Sequence, residues 1–270
     1  MLLFDRNKFN GCISKIRDLK PLVFHLTNLV AMQEQAHVTL AFGGRPLMSD
    51  SHEESEELVS IAQALLLNIG TPNEEQMKAM TIALLSAKNK GTPSLLDPVG
   101  YGASRIRNEA VEKLLSTGGI KILKGNCGEI AALGGRFDCV SGVDSMLGFS
   151  NEFLDIVVQM AKEKNIVIAA TGKVDCISDG KNTAILKGGS EYLSMITGSG
   201  CMTGSLVSCF LGSGMDSFLS AIAGIHVMKI AGEKASDKVS GPGTFFAKLL
   251  DAIYTLTEKD MLEHGEIQWI

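Results

Sequence analysis

The 270-residue sequence predicts an α/β fold built on a mostly parallel, doubly wound central sheet. Three observations carry this. Short apolar runs alternate with longer stretches of helical periodicity, the pattern of repeated strand–helix–strand units. Polar or small residues recur where the apolar runs stop, as at Asn28, Asn68, Asp97, Lys124 and Thr171. Finally, no linker, heptad seam or internal repeat interrupts the chain, so residues 1–270 read as one domain with a large core (45% hydrophobic).

The elements follow in order. Residues 7–20 read as a helix ending at Lys20-Pro21, and Pro21–Leu26 as a buried strand. Asn28 is placed to cap the next helix, on which Leu29, Met32, Ala36 and Leu40 form one apolar face. Gly43-Gly44 stops it, and Arg45–Met48 is a second short strand. Ser51 opens an acidic, solvated helix, and Ala64–Gly70 is a buried strand. Thr71-Pro72-Asn73-Glu74-Glu75 reads as a helix start with Pro72 at its first position. Strands at Pro93–Asp97 and Ile120–Lys124 flank a helix from about Ser104 to Leu115. A further helix opens at Gly125-Asn126-Cys127, and a polar region around 134–149 precedes the helix Asn151–Lys164. The strand Ile166–Ala170 leads to a hairpin turning at Asp179-Gly180. Tyr192–Ile196 reads as a strand feeding a small-residue loop, with helices near Cys201, from Asp216 and from Gly241-Pro242 to follow.

Composition excludes several functions. A formal net charge of −5 with no Lys/Arg run argues against a nucleic-acid partner. No apolar stretch approaches the ~18 residues of a membrane span, and the N-terminus lacks the pattern of an export signal. Cysteines at 12, 127, 139, 176, 201 and 209 show neither CxxC nor zinc spacing. The expectation is a cytoplasmic protein with free thiols.

Chemistry concentrates at Thr197-Gly198-Ser199-Gly200-Cys201. A glycine loop entering a helix offers backbone N–H groups at the positive end of the helix dipole, which is an anion site. Gly198 and Gly200 are expected to take positive φ there. In a parallel sheet, ligands lie beyond the carboxyl ends of the strands. Asn28, Met48, Asn68, Asp97, Lys124, Asn126, Glu129 and Thr171 all fall at such ends or just after them. Two acids, Asp97 and Glu129, suit a Mg²⁺ carried with a nucleotide, and Lys124 and Thr171 suit its phosphates. Each has an ordinary structural reading too: Asn28 and Glu129 as caps, Asp97 as a turn residue, Met48 as core. His25, inside an apolar strand, reads as a satisfied core or pocket-wall residue rather than a base.

These motifs resemble the hydroxyethylthiazole kinases. The resemblance rests on Pro21-Leu22-Val23…Thr27-Asn28, Pro46-Leu47-Met48, Leu67-Asn68-Ile69-Gly70-Thr71, Leu96-Asp97-Pro98-Val99-Gly100, Lys124-Gly125-Asn126…Glu129, Thr171-Gly172-Lys173, Thr197-Gly198-Ser199-Gly200-Cys201 and Gly241-Pro242-Gly243-Thr244. It implies a ribokinase-like three-layer fold and ATP- and Mg²⁺-dependent phosphorylation of 4-methyl-5-(2-hydroxyethyl)thiazole in thiamine biosynthesis. It also implies a homotrimer with active sites between subunits. By position it assigns Met48, Gly198 and Asn28 to the thiazole, and Lys124, Thr171 and Gly200 to ATP. Asp97 and Glu129 fall near metal and phosphates, and Cys201 near the reacting hydroxyl. Two departures stand out. Lys124 replaces an arginine and loses its bidentate fork, and Phe24-His25-Leu26 alters what the resemblance makes a pocket wall. Alternatives are a kinase of the same superfamily for hydroxymethylpyrimidine or pyridoxal, an ADP-dependent hydro-lyase, and a nucleotide sensor without turnover.

Overall fold

Alternating burial along the apolar runs sorts the side chains to two faces of one sheet. Leu66, Leu95 and Ile122 join one core cluster, while Leu65, Leu67, Leu96 and Leu123 join the other. The computed structural model describes residues 2–3, 5–136 and 150–270. Cys139 and most of the polar 134–149 region lie outside the described residues.

The strands are β1 (Leu2–Leu3), β2 (Leu22–Leu26), β3 (Arg45–Met48), β4 (Ala64–Asn68) and β5 (Ser94–Asp97). They continue with β6 (Ile120–Asn126), β7 (Val167–Thr171), β8 (Asp175–Ser178), β9 (Thr183–Lys187) and β10 (Glu266–Trp269). The helices are α1 (Cys12–Leu19), α2 (Met32–Phe42), α3 (Ser55–Ile61), α4 (Glu74–Lys90), α5 (Arg105–Thr117) and α6 (Cys127–Leu133). After them come α7 (Asn151–Lys164), α8 (Ser199–Gly212), α9 (Ser217–Ala235), α10 (Pro242–Thr255) and α11 (Glu258–Glu263).

The sheet order is β1-β10-β9-β8-β7-β6-β5-β4-β2-β3. Strands β3, β2, β4, β5, β6 and β7 run parallel. From β7 through β8, β9 and β10 to β1 each pairing is antiparallel. Every residue of β4 and β5 is buried, as expected of parallel strands covered on both faces. Helices α1, α2, α8, α9 and α10 cover one face, and α3 to α7 the other. The sequence thus placed the three layers correctly. Among the described residues, no helix is long and apolar enough to cross a membrane.

Local expectations differ in six places. The 7–20 segment is a 3₁₀ turn, Arg6–Phe9, separated from α1 by Gly11 at φ 73°. Helix α2 starts only at Met32 and buries Gln35, Val38, Thr39 and Phe42, while Leu29 and Leu40 are exposed. Helix α3 starts at Ser55, not Ser51. Asn73, not Thr71, caps α4, and Thr71 Oγ1 accepts instead from the Leu29 N–H. Glu191–Met195 is a 3₁₀ turn where a strand was expected, capped by Ser190. The β1–β10 pair at the sheet edge was not foreseen.

Helices α8 and α9 pack side by side on the sheet, α8 over β2, β4 and β5 and α9 over β6 to β9, and glycine lets them meet closely. A Cβ on Gly224 would sit 2.5 Å from the Val207 backbone nitrogen and 2.6 Å from its Cα. Backbone cannot yield as a flexible side chain can. Gly224→Ala is therefore expected to destabilise the protein by about 3 kcal/mol, the upper range for overpacking. Urea denaturation with an unchanged m-value checks this, and a midpoint equal to the parent's would refute it.

Candidate active site

The first turn of α8 is the anchor. Gly198 is its N-cap, at φ 82°, and no side chain caps the helix. The first intrahelical bond is Met202 N–H to Gly198 O at 2.8 Å, which leaves the amides of Ser199, Gly200 and Cys201 facing outward. Gly198 alone takes the left-handed conformation; Gly200, expected to share it, is already helical. A Cβ on Gly198 would meet Ala31 Cβ at 2.8 Å, so the loop lies tight against the turn that follows β2.

That turn is held by Asn28. Its Oδ1 accepts from the N–H groups of Val30 and Ala31, so it fixes the approach to α2 rather than capping the helix itself. Its Nδ2 then donates to Asn68 Oδ1 at 2.8 Å and to Cys201 Sγ at 3.5 Å. Asn68, fully buried at the end of β4, accepts from the Gly70 N–H and donates to Cys201 Sγ at 3.2 Å. Backbone donors orient both carboxamides, so both present N–H to the sulfur. Thr27, one residue before, is fixed by Gln35 and Gln76 side chains from α2 and α4.

Beneath Gly200 lie the charges. Lys124, on β6, meets Asp97 Oδ2 of β5 at 2.9 Å, and both are almost wholly buried. A Cβ on Gly200 would be 3.9 Å from Lys124 Nζ, with Lys124 its nearest neighbour. Gly204, one turn on, lets α8 pass over Asp97, to which its Cβ would come within 3.7 Å. Glu129 closes the far side: its oxygens accept from the N–H groups of Gly100 and Asn126, the latter in a reciprocal capping box. Thr171 stands beside it, its hydroxyl donating to Gly125 O.

Burial raises the pKa of Asp97 against the opposing pull of Lys124. It raises that of Glu129 too, with Asp97 adding to the rise. Burial pulls Lys124 down, yet Asp97, Cys201 and Glu129 together hold it above its ordinary value. These shifts share one origin: two acids compete for one ammonium in a dry site. The surplus is negative, next to helix amides that favour an anion.

All nine residues singled out in the sequence thus stand at one end of the sheet. Cys201, Asn28 and Gly198 form one group, Asp97, Lys124 and Gly200 a second, and Glu129 and Thr171 a third. Met48, partly exposed, ends edge strand β3 beside β2. Phe24 and Leu26 are buried in the core, and His25 is fully buried, bonded to Val23 O and Ser205 Oγ. Burial lowers its pKa to about 4, so the ring is neutral. The altered 24–26 segment is therefore core, contrary to the pocket-wall expectation. One contributor was left without a role and another was missed. Asn68 was noted without a role. Arg107 donates to the carbonyls of Ile69, Gly70 and Val99, tying together the loops after β4 and β5; nothing in its helical context signals this.

A mostly parallel sheet covered by helices on both faces is the ribokinase-like fold. The pyridoxal kinase of Staphylococcus aureus solved with AMP-PCP and pyridoxal shares this fold, with a TM-score of 0.60 at 14% identity over 93% of this chain and 98% of that one. A much nearer likeness is the hydroxyethylthiazole kinase structure from Pyrococcus horikoshii OT3, with a TM-score of 0.89 at 33% identity, covering 97% and 98% of the two chains. Residues 13–259 match the Hydroxyethylthiazole kinase family. Hydroxyethylthiazole kinase 2 of Clostridium botulinum (strain Loch Maree / Type A3) is 41% identical over 257 residues, 95% of this chain and 97% of its own. The hydroxyethylthiazole kinase of Caldivirga maquilingensis is 40% identical over 262 residues, 97% of each chain. The chain belongs to the hydroxyethylthiazole kinase family.

Cys201 occupies the third position of α8, where the dipole favours a thiolate. Burial opposes this most strongly and Asp97 next, while Lys124, Asn68 and Asn28 only partly offset them, so the thiol is held above its ordinary pKa. Among the described cysteines, Cys201 is also the most accessible; Cys12, Cys127, Cys176 and Cys209 are buried. Its alkylation by iodoacetamide, followed by mass spectrometry, should be slow at neutral pH and keep rising beyond the range in which an ordinary thiol titrates. A half-point near pH 7 would show a thiolate instead.

Proposed function

We propose that this chain is one kinase domain that transfers the γ-phosphoryl group of ATP to the primary hydroxyl of 4-methyl-5-(2-hydroxyethyl)thiazole, in thiamine biosynthesis. The observation that carries this is Cys201 and its two carboxamide donors beside an uncapped helix N-terminus, in a chain of this family. Other residues follow from chemistry. The amides of Ser199, Gly200 and Cys201 hold the transferring phosphoryl group, with Lys124 beneath them as a point charge. Thr171 contacts the nucleotide on the Glu129 side. Met48, Gly198 and Asn28 line the thiazole's side.

Asp97 and Glu129 fit Mg²⁺. They are hard oxygen donors in surplus over one ammonium, and buried Asp97 Oδ2 has no hydrogen-bond partner beyond its ion pair with Lys124. Among the described residues no three metal-binding side chains cluster, so phosphate and water oxygens would complete the shell. When bound, Mg²⁺ supplies charge neutralisation at the phosphates.

The hydroxyethyl oxygen attacks the γ-phosphorus as the phosphorus–oxygen bond to ADP breaks; ADP leaves with that electron pair and the alcohol proton passes to a phosphoryl oxygen. An alcohol proton leaves readily only late, once the new O–P bond has acidified it. A neutral Cys201 thiol therefore acts by holding the hydroxyl in line, and positioning plus electrostatics supply the acceleration. Because Phe24 and Leu26 are core, their departure from the family pattern leaves the substrate side unchanged.

Leu29 and Val30 are exposed apolar residues beside Asn28, and Leu40 is exposed further along α2. Exposed apolar residues of this kind fit cover by a second copy of the chain, as in a homotrimer with sites between subunits. Described cysteines that are all unpaired suit the cytoplasm.

With ATP and Mg²⁺, a panel of small alcohols should show preference for the hydroxyethylthiazole over hydroxymethylpyrimidine and pyridoxal. Turnover confined to the pyrimidine or pyridine alcohols would overturn the proposal. Asp97→Asn or Glu129→Gln should lower kcat by roughly 100-fold or more at saturating Mg²⁺. Near-parental kcat in both folded variants would reduce these acids to structural roles.

A further inference from the structure

Outside the site lies a second buried ion pair. Lys229 is the one cation among the buried residues of α9, and its Nζ is 2.9 Å from Asp175 Oδ2. The same ammonium donates to Gly188 O at 2.9 Å and Lys173 O at 3.3 Å. Its three hydrogens thus have three acceptors, in two separate loops. Asp175 passes the restraint on, its Oδ1 accepting from the Gly172 N–H at 2.9 Å. One turn further along α9, Glu233 accepts from the Gly189 N–H at 2.7 Å.

Close packing confirms that these loops are pressed onto α9. Gly188 and Gly189 both take positive φ, and a Cβ on Gly188 would lie 2.5 Å from Glu233 Oε1. On the opposite side, a Cβ on Gly172 would meet Cys127 Sγ of α6 at 3.2 Å. The turn Thr171–Val174 is therefore fixed from three directions: α9 through Lys229, α6 through Cys127, and β6 through the Thr171–Gly125 bond. Gly172 and Lys173 remain exposed. A buried ion pair adds little stability over an apolar pair of similar size. What this one supplies is the shape of two loops that border the candidate nucleotide side.

We propose that Lys229, paired with Asp175, is a positioning residue for the nucleotide: it sets the Thr171–Val174 turn on which ATP rests. This rests on the kinase reading above. The turn is already in place before binding, so affinity does not carry the cost of ordering it.

The test compares Lys229→Met, Asp175→Asn and the double variant in the full-length protein. ADP binding is measured by calorimetry without any alcohol, and KM is measured for both substrates. Single variants leave one buried charge unpaired and can fail to fold; the double variant removes both charges. In the folded variants the ADP Kd and the ATP KM should rise about tenfold, the scale of lost preorganisation. The KM for the thiazole alcohol should stay within about twofold, since its contacts lie elsewhere. Parental ADP affinity in the folded double variant, or equal losses for both substrates, would overturn the proposal. Failure of the parent itself to bind ADP would overturn the kinase reading as well, so the two failures are distinguishable.

Discussion

The free N-terminus of α8 is the constraint that the rest of the site answers. A helix start with no cap leaves oriented amides that want negative charge. The chain supplies none from its own side chains; Gly198 caps by conformation alone. Instead it places negative charge one layer below, at Asp97, and balances that with Lys124. Small residues make this stacking possible: Gly204 permits α8 to pass over Asp97, and Gly224 permits α9 to close on α8. The result is a surface that attracts an anion above a pocket that attracts a cation. A nucleotide polyphosphate carried with a divalent cation satisfies both.

Polar burial around this point is extensive and mostly satisfied, with Gln76 Oε1 and Ser208 Oγ left without a partner. Thr27, Gln35, Gln76, His25 and Ser205 form a bonded set beneath the Asn28 turn. Such a network costs little once complete and admits few alternative packings. It explains how two carboxamides can be aimed at one sulfur with backbone donors fixing each. Rigidity here matters more than stability, because a small displacement of the reacting hydroxyl carries a large rate penalty.

Much of this was legible in the chain, for a simple reason. Parallel strands announce themselves as apolar runs, and a polar residue at the end of such a run has few structural excuses. Hence Asn28, Asp97, Lys124 and Thr171 could be placed before any coordinates. What failed were features decided by tertiary contact. Leu29 and Leu40 satisfy a helical period yet face outward, because Gln35 and Thr39 are drawn inward by His25 and Thr27. Tyr192–Ile196 has strand composition but closes into a 3₁₀ turn capped by Ser190 and packed on Phe245. The Lys124–Asp97 pair joins neighbouring strands, and sequence spacing carries no mark of it. Asn68 looked like any strand-end amide until Gly70 fixed its orientation.

Edge strand β3 has a consequence of a different kind. Arg45 donates its N–H inward to Pro21 O, so the alternation of a strand turns the next residue's nitrogen outward. That residue is Pro46, which has no hydrogen to offer. The open margin of the sheet thus lacks a donor midway along its length, where another strand would need one. Fibrous growth by edge-to-edge addition is hindered at this margin without any bulge or covering helix. A strand added at β3 would find the Met48 N–H facing it but no donor at Pro46, which disfavours growth of the sheet at this margin and leaves Met48 at its end open to association.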